Sequence, residues 1–267
     1  MASSERIFVQ AIRRYCAAHD IAVDVRAGGW LIAMRRGEQR HFAFGYDIGL
    51  NSAIAHRLAN DKSATSEALT LDGVPCIPHH LFLNPKLGEN VVGAGWRDEM
   101  LRLLRANPQG VVVKPNEGTS GRSVFRVTTE AELDHGVGEV FAMSAGLVIS
   151  PYVAIEQEVR VVLLDDAPLV VYSKQRGSDW RHNLDAGAKP VLLEDGEART
   201  ACVKLAIDAA SAIGITFASI DVTRVDGTWR VLEINSGVMM EALAKLHPEL
   251  VQATYDAALD RVFEETH

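Results

Sequence analysis

The stretch FASIDVTRVDGTWRVLEINSG, residues 217 to 237, decides how this chain is read. Two β-prone runs flank Asp226-Gly227, the signature of a hairpin. Glu233 and Asn235 lie two apart on the second strand, so they share a face. Whether Asp221 joins them depends on the turn. A two-residue Asp-Gly turn sets 221 opposite 232 and puts Asp221 and Glu233 on different faces. A three-residue loop, Val225 to Gly227 with the glycine left-handed, sets 221 opposite 231 and 219 opposite 233, and all three polar groups then face one way. The three-residue loop is the expectation. Two carboxylates and an amide oxygen amid runs as apolar as FASI and VLEI repel one another without a cation. Hard oxygen ligands suit magnesium, or manganese in its place. An ordinary half-exposed hairpin is the plain alternative.

Upstream, GVVVKPNEGTSGRSVFRV reads as a strand, a glycine-bearing loop and a second strand. Lys114 ends a buried-looking run, where an ammonium needs an anionic partner. The loop Glu117-Gly118-Thr119-Ser120-Gly121-Arg122-Ser123 offers amides and hydroxyls that approach phosphate oxygens closely. It is neither a Walker loop, which continues Gly-Lys-Ser/Thr into a helix, nor a protein-kinase loop, which precedes its strand lysine. A plain hairpin turn is the alternative. Arg160 interrupts the β-run EVRVV with a charge. Lys174, Arg176, Arg181 and Asn183 make a donor-rich cluster, suited to bidentate grip of carboxylate or phosphate or else to a solvated loop.

Working outward, SSERIFVQAIRRYCAAHD, residues 3 to 20, sets Ile7, Ile12, Tyr15 and Cys16 at helical spacing behind a serine cap, and IAVDV, WLIAM and HFAFG read as strands joined by glycine turns. Arg26, Arg35, Arg36 and Arg40 there read as a solvated face, with reception of an acidic substrate as the alternative. Residues 51 to 72 read as one helix capped by Asn51 or Ser52, with Lys62 on its surface. His79 and His80 stand beside prolines at a strand end; neighbours in a strand point to opposite faces, which makes them a poor metal pair. Thr129 with Glu132 is a capping-box pattern. LVISPYV is a strand and turn, residues 156 to 177 are two strands joined at Asp165 to Pro168, and residues 196 to 213 a helix. The run from about 242 to the end reads as a closing helix. There is no internal repeat.

With 267 residues, 48% hydrophobic and 23% charged, the chain can bury a core and is not expected to be disordered. A net charge of −8 argues against a general nucleic-acid binder, which needs a concentrated positive surface. No run reaches the roughly 20 apolar residues that span a bilayer. The first twenty residues lack a signal-peptide core, and Cys16, Cys76 and Cys202 have no ligand or redox spacing. A cytoplasmic protein with reduced thiols is expected.

The order of these elements resembles the ATP-grasp enzymes, nearest the group of bacterial glutathione synthetase, the ribosomal-protein glutamate ligase and the ligase half of cyanophycin synthetase. The resemblance covers roughly residues 47 to 245. Asp61-Lys62-Ser63-Ala64-Thr65 matches the group's DK-x-x-T element, VVVKPNEGTSGRSV its strand lysine and small-residue loop, and Arg181-His182-Asn183 its R-x-N element. Asp221, Glu233 and Asn235 match its magnesium ligands. The resemblance implies an α+β fold of two lobes gripping ATP: a short lead-in over 1–46 and an ATP-grasp domain over 47–267, divided into lobes of about 62–146 and 147–267. It implies that Lys62, Lys114 and the loop (Glu117, Gly118, Thr119, Ser120, Gly121, Ser123) hold the phosphates. Backbone groups near Ile149, Ser150 and Tyr152 would take the adenine, and Glu156 or Glu158 the ribose. Arg160, Lys174, Arg181 and Asn183 would face the transferring phosphoryl group.

The implied reaction activates a small-molecule or peptide carboxylate as its acyl phosphate, and an amine then displaces phosphate to form an amide. Catalysis of the phosphoryl step lies in positioning and charge neutralisation. Two alternatives keep the fold: a small-molecule kinase with a hydroxyl acceptor, and a non-catalytic nucleotide-binding protein. A homodimer is the assembly common in similar enzymes.

Overall fold

The computed structural model describes residues 5–88, 94–118, 123–175 and 188–264. Thr119, Ser120, Gly121, Arg122, Arg176, Arg181 and Asn183, together with the expected serine cap before residue 5, lie outside them. The architecture is α+β. The described strands form three sheets in which every neighbouring pair runs antiparallel.

The lead-in carries helix α1 (Ile7–Ala18) and strands β1 (Ala22–Arg26), β2 (Leu31–Arg36) and β3 (Gln39–Phe44). Its apolar side is not closed by itself. Phe8, Ile12, Ile32 and Met34 share one core with Tyr255, Leu259 and Phe263 of the last helix, α8 (Pro248–Phe263). Tyr15 Oη donates to Asp260 Oδ1 at 2.8 Å across that junction. The closing run is two helices: α7 (Glu241–Ala244) stops before Pro248, which opens α8 from its first turn, where a missing N–H costs nothing.

The four-stranded sheet has the order β4 (His80–Leu83), β7 (Gly146–Pro151), β5 (Val111–Pro115), β6 (Phe125–Val127). Helices α4 (Trp96–Ala106) and α5 (Glu130–Phe141) cover one of its faces around Met100, Val113, Leu133 and Ile149. The capping box at Thr129 and Glu132 is present with both of its bonds.

The five-stranded sheet has the order β10 (Lys189–Leu192), β9 (Ala167–Gln175), β8 (Gln157–Leu164), β11 (Phe217–Val225), β12 (Thr228–Asn235). One face packs on helix α6 (Glu197–Ile213) through Val159, Val161, Ala218, Ile220 and Ile234. The other face divides: Val162, Val170, Tyr172 and Phe217 join the lead-in core, and the charged residues occupy the rest. The stretch 51–72 is two helices, not one. Ser52 caps α2 (Ala53–Asn60), the chain breaks at Asp61, and Asp61 itself caps α3 (Lys62–Leu71), its Oδ1 accepting from Ala64 N–H at 2.8 Å.

Candidate functional site

The 217–235 hairpin closes differently from the expectation, and the outcome for its face is the same. Val225 pairs with Thr228, so the turn is the two-residue Asp226-Gly227, both with positive φ (49° and 72°). A β-bulge between Asp221 and Val222 then shifts the register by one, with Leu232 the extra residue. The shift sets Asp221 directly opposite Glu233 and Ser219 opposite Asn235. Asp221, Glu233 and Asn235 therefore share a face, through a bulge rather than a three-residue loop.

Next to them, β8 and β9 add Arg160 and Lys174. Arg160 Nε donates to Asp221 Oδ1 and Nη2 to Oδ2, both at 2.7 Å. Lys174 Nζ donates to Glu158 Oε1 at 2.6 Å and lies 2.8 Å from Asp221 Oδ2. The side chains of Asp221 and Lys174 are 1% and 6% exposed, so these are charge-assisted bonds away from water. Burial alone would raise the Asp221 carboxyl; the Arg160 and Lys174 charges outweigh it and hold the group well below the usual carboxylate range. Burial and Arg160 pull Lys174 down, while Asp221, Glu158 and Glu233 outweigh them, so its pKa ends raised.

A second group stands across from this face. The Asp61 break forms a bridge to Glu117, placing the start of α3 against the loop that leaves β5. Asn116 locks that junction: its Nδ2 donates to Asp61 Oδ2 at 2.7 Å and its Oδ1 accepts from Ser63 N–H at 3.1 Å. Lys62, the first residue of α3, reaches the carbonyls of Asn116 and Gly118 at 3.3 and 2.9 Å. Burial lowers its pKa, with Glu233, Asp61 and Glu117 opposing. Lys114 is drawn down to about 8, by burial first, then by Lys62, with Glu233 and Glu158 opposing. Lys62, Gly118, Glu233 and Asn235 line one cleft with about 420 Å³ of open space.

The other expected residues fall as follows. Ser150 is buried in β7, which pairs with β4 and β5, and Ile149 of the same strand packs on the helix-covered face. Tyr152 spends its N–H on the Gly110 carbonyl at 3.0 Å, and Arg126 lies over its ring at 3.6 Å. Ser123 Oγ is turned to Met143 Sδ at 3.1 Å. Glu156 accepts from Gly227 N–H at 3.0 Å, at the turn end of the hairpin and not at its Glu233 end. Glu158 is in the ion network. Offered from the sequence for the ribose, it is bonded to Lys174 instead, and its two-residue spacing from Arg160 was the signal that pointed there. Asn116 gave no such signal, because its partners lie more than 50 positions away in sequence.

Among the described residues no three or more His, Cys, Asp or Glu side chains gather as a metal site. The donor set of Asp221, Glu233 and Asn235 still suits a hard cation. A carboxylate has about four lone-pair positions, and Arg160 and Lys174 engage three on Asp221. Asn235 Nδ2 lies 3.4 Å from Glu233 Oε1, a long contact that leaves its own carbonyl oxygen to another partner. Cys16, Cys76 and Cys202 are free thiols, and burial pushes Cys16 up to about 11 and Cys202 to about 12. Among the described residues no helix is long and apolar enough to cross a membrane.

Known proteins resemble this chain in sequence and in fold. A family model described as a RimK-like ATP-grasp domain matches residues 98–250. A protein of Stenotrophomonas maltophilia named "Probable alpha-L-glutamate ligase" is 31% identical over 151 residues, covering 54% of this chain and 49% of that protein. A protein of Shewanella frigidimarina named "Probable alpha-L-glutamate ligase 2" is 27% identical over 236 residues, covering 85% and 72%. The chain thus spans about half the length of the first relative and nearly three quarters of the second. Among solved structures, D-alanine–D-alanine ligase from Bacillus anthracis superposes with a TM-score of 0.62 at 20% identity, over 80% of this chain and 69% of that one. The same ligase complexed with ATP gives 0.60 at 20% identity, over 80% and 68%. The match covers more than half of the sequence, and the chain belongs to the RimK-like ATP-grasp family.

Proposed function

We propose that the protein is an ADP-forming carboxylate–amine ligase that binds ATP with magnesium in the cleft between Lys62 and Lys114 on one side and Glu233 and Asn235 on the other. The observation that carries this reading is the opposition of two charge sets. Asp221, Glu233, Asn235 and Arg160 share one sheet face, and Lys62 and Lys114 enter from separate elements whose positions Asn116 and Asp61 fix. Phosphoryl transfer asks the protein for positioning and neutralisation of charge, and this arrangement supplies both.

In this reading Lys62 and Lys114 neutralise the phosphates. Asp221, Glu233 and Asn235 would hold magnesium, which would supply positive charge to neutralise the phosphates. Arg160 and Lys174, already oriented by Asp221, stabilise charge that develops on the transferring phosphoryl group. Arg181, Asn183 and the loop residues Thr119, Ser120 and Gly121 keep their proposed roles at the phosphates. The substrate carboxylate takes the γ-phosphoryl group and ADP leaves. An amine then attacks the acyl carbon and phosphate leaves, giving an amide. The glutamate-ligase names of the relatives make L-glutamate the first amine to try. A lead-in ahead of two lobes, a cytoplasmic location and a homodimer complete the proposal.

Release of ADP and phosphate, assayed over a panel of amino acids and dipeptides with mass spectrometry of the products, tests it. Phosphate must appear only when carboxylate and amine are both present, with a product lighter by one water than their sum. A phosphorylated hydroxyl product would show a kinase instead. If Glu233→Gln kept near wild-type turnover, the metal assignment would be wrong.

A further inference from the structure

One polar group in the cleft is used neither by the ion network nor by the lysines. His79 immediately precedes β4 and is 3% exposed. Its backbone N–H donates to Ser66 Oγ at 3.2 Å, and its ring is bonded to the backbone of Ile77. Its Nε2 is buried and has no hydrogen-bond partner among the described residues. The ladder gives its place. His80 pairs with Ile149, so the antiparallel step sets His79 beside Ser150, on the face opposite the one where Ile149 packs. Lys114 and Val148 are a cross-strand pair on that same inner face.

The chemistry of the ring narrows its partner. Burial, then the charges of Lys114 and Lys62, keep His79 well below the usual imidazole range, so the ring is neutral. A neutral ring that donates one N–H to a backbone carbonyl presents a lone pair at the other nitrogen. Phosphate and carboxylate oxygens are acceptors and are repelled there; the partner must bring an N–H or O–H. The surroundings narrow it further. Leu232, the bulged residue, is half-buried and lines the cleft with Leu69, Ile77 and His79, an apolar surface of the kind against which a flat ring lies.

We propose that His79 Nε2 accepts a hydrogen bond from the exocyclic amino group of the bound purine, so that His79 selects 6-aminopurine over 6-oxopurine nucleotides. The inference rests on the reading of the cleft as an ATP site. A 6-oxopurine sets a carbonyl oxygen against the lone pair, two acceptors face to face, and leaves both unpaired.

Nucleotide binding tests it without the second substrate. The full chain and its His79→Ala and His79→Gln variants are titrated calorimetrically with ATP, ITP and 2′-deoxy-ATP in magnesium buffer, and their melting temperatures are compared. Wild type should prefer ATP over ITP by about tenfold or more. His79→Ala should lose about tenfold for ATP and for 2′-deoxy-ATP alike and hold ITP within about twofold, so the preference collapses. In His79→Gln, whose amide can turn either its oxygen or its NH₂ to the base, the preference should narrow through tighter ITP binding. Parallel loss of ATP and ITP would assign His79 to packing or to the lysines and overturn the proposal. So would a loss confined to ATP against 2′-deoxy-ATP, which would assign it to the ribose. If His79→Ala does not fold, an unchanged ATP-to-ITP ratio in His79→Gln overturns it by itself. A wild-type chain that binds none of the three nucleotides would sink the ATP reading first, and this inference with it.

Discussion

The two walls of the cleft treat charge in opposite ways. On the five-stranded sheet, Asp221 is closed in by Arg160 and Lys174, and Lys174 also holds Glu158. That wall is set before any ligand arrives. Across from it, Lys62 reaches only carbonyl oxygens among the described residues, and Lys114 is partly discharged by burial. The second wall keeps its positive charge in reserve for an anion. The contrast is a division of labour: one wall is organised by internal ion pairs, and on the other the Lys62 ammonium is held by backbone carbonyls.

The sharpest way to break the first wall is Asp221→Asn. It leaves buried Lys174 and half-buried Arg160 short of their counter-ion, which costs roughly 3–5 kcal/mol, read by chemical denaturation. The same carboxyl sets an acid limit. Its folded pKa lies below the ordinary value, so its contribution is present above the unfolded pKa and is lost as pH falls toward the folded one. Wild-type stability should therefore decline below about pH 4 with a slope that Asp221→Asn lacks. A variant as stable as wild type at pH 7 would mean the network adds no net stability.

Glu233→Gln comes next. It removes charge from the open edge of the same face without touching the Arg160 and Lys174 bonds. Substrate-dependent ADP release should fall by about 100-fold or more, with an unchanged melting temperature. A large loss of stability would place Glu233 in the fold instead of the chemistry.

The second wall should be easier to damage in binding than in folding. Asn116→Ala frees Asp61 and the 117–118 backbone and should cost about 1–2 kcal/mol, with ATP affinity falling about tenfold as Lys62 loses its fixed anchor. The smallest effect concerns Lys114. With its pKa near 8 it carries less charge as pH rises through that value. ATP affinity should decline a few-fold between about pH 7 and 9, with proton uptake on binding near pH 8 in buffers of different ionisation enthalpy. Lys114→Met should lose that uptake.

Much of the first wall was legible because strand periodicity is local. Glu233 and Asn235 announce a shared face by their spacing alone; Glu158 and Arg160 carry the same signal, which the ribose expectation for Glu158 passed over. The register between β11 and β12 was not. The two-residue Asp226-Gly227 turn would have separated Asp221 from Glu233, and the bulge at Leu232 restores their alignment. A bulge is decided by packing on both sides of a strand, which spacing does not record. The second wall was less legible for the same reason. Residues 51–72 have the composition of one helix, and the break at Asp61 exists because Asn116 and Glu117, distant in sequence, bond there. His79 looked like a poor metal ligand and is not paired with His80 in any site; its burial beside two lysines depends wholly on tertiary placement.

In the proposed reading the two walls face one nucleotide. A crystal structure of the full chain with a non-hydrolysable ATP analogue and magnesium tests it most directly. Terminal phosphates should lie between Lys62 and Lys114 on one side and a metal ion on Asp221, Glu233 and Asn235 on the other, with Asp221 still bonded to Arg160. Phosphates bound elsewhere, or Glu233 turned out of the cleft with the metal absent, would contradict it.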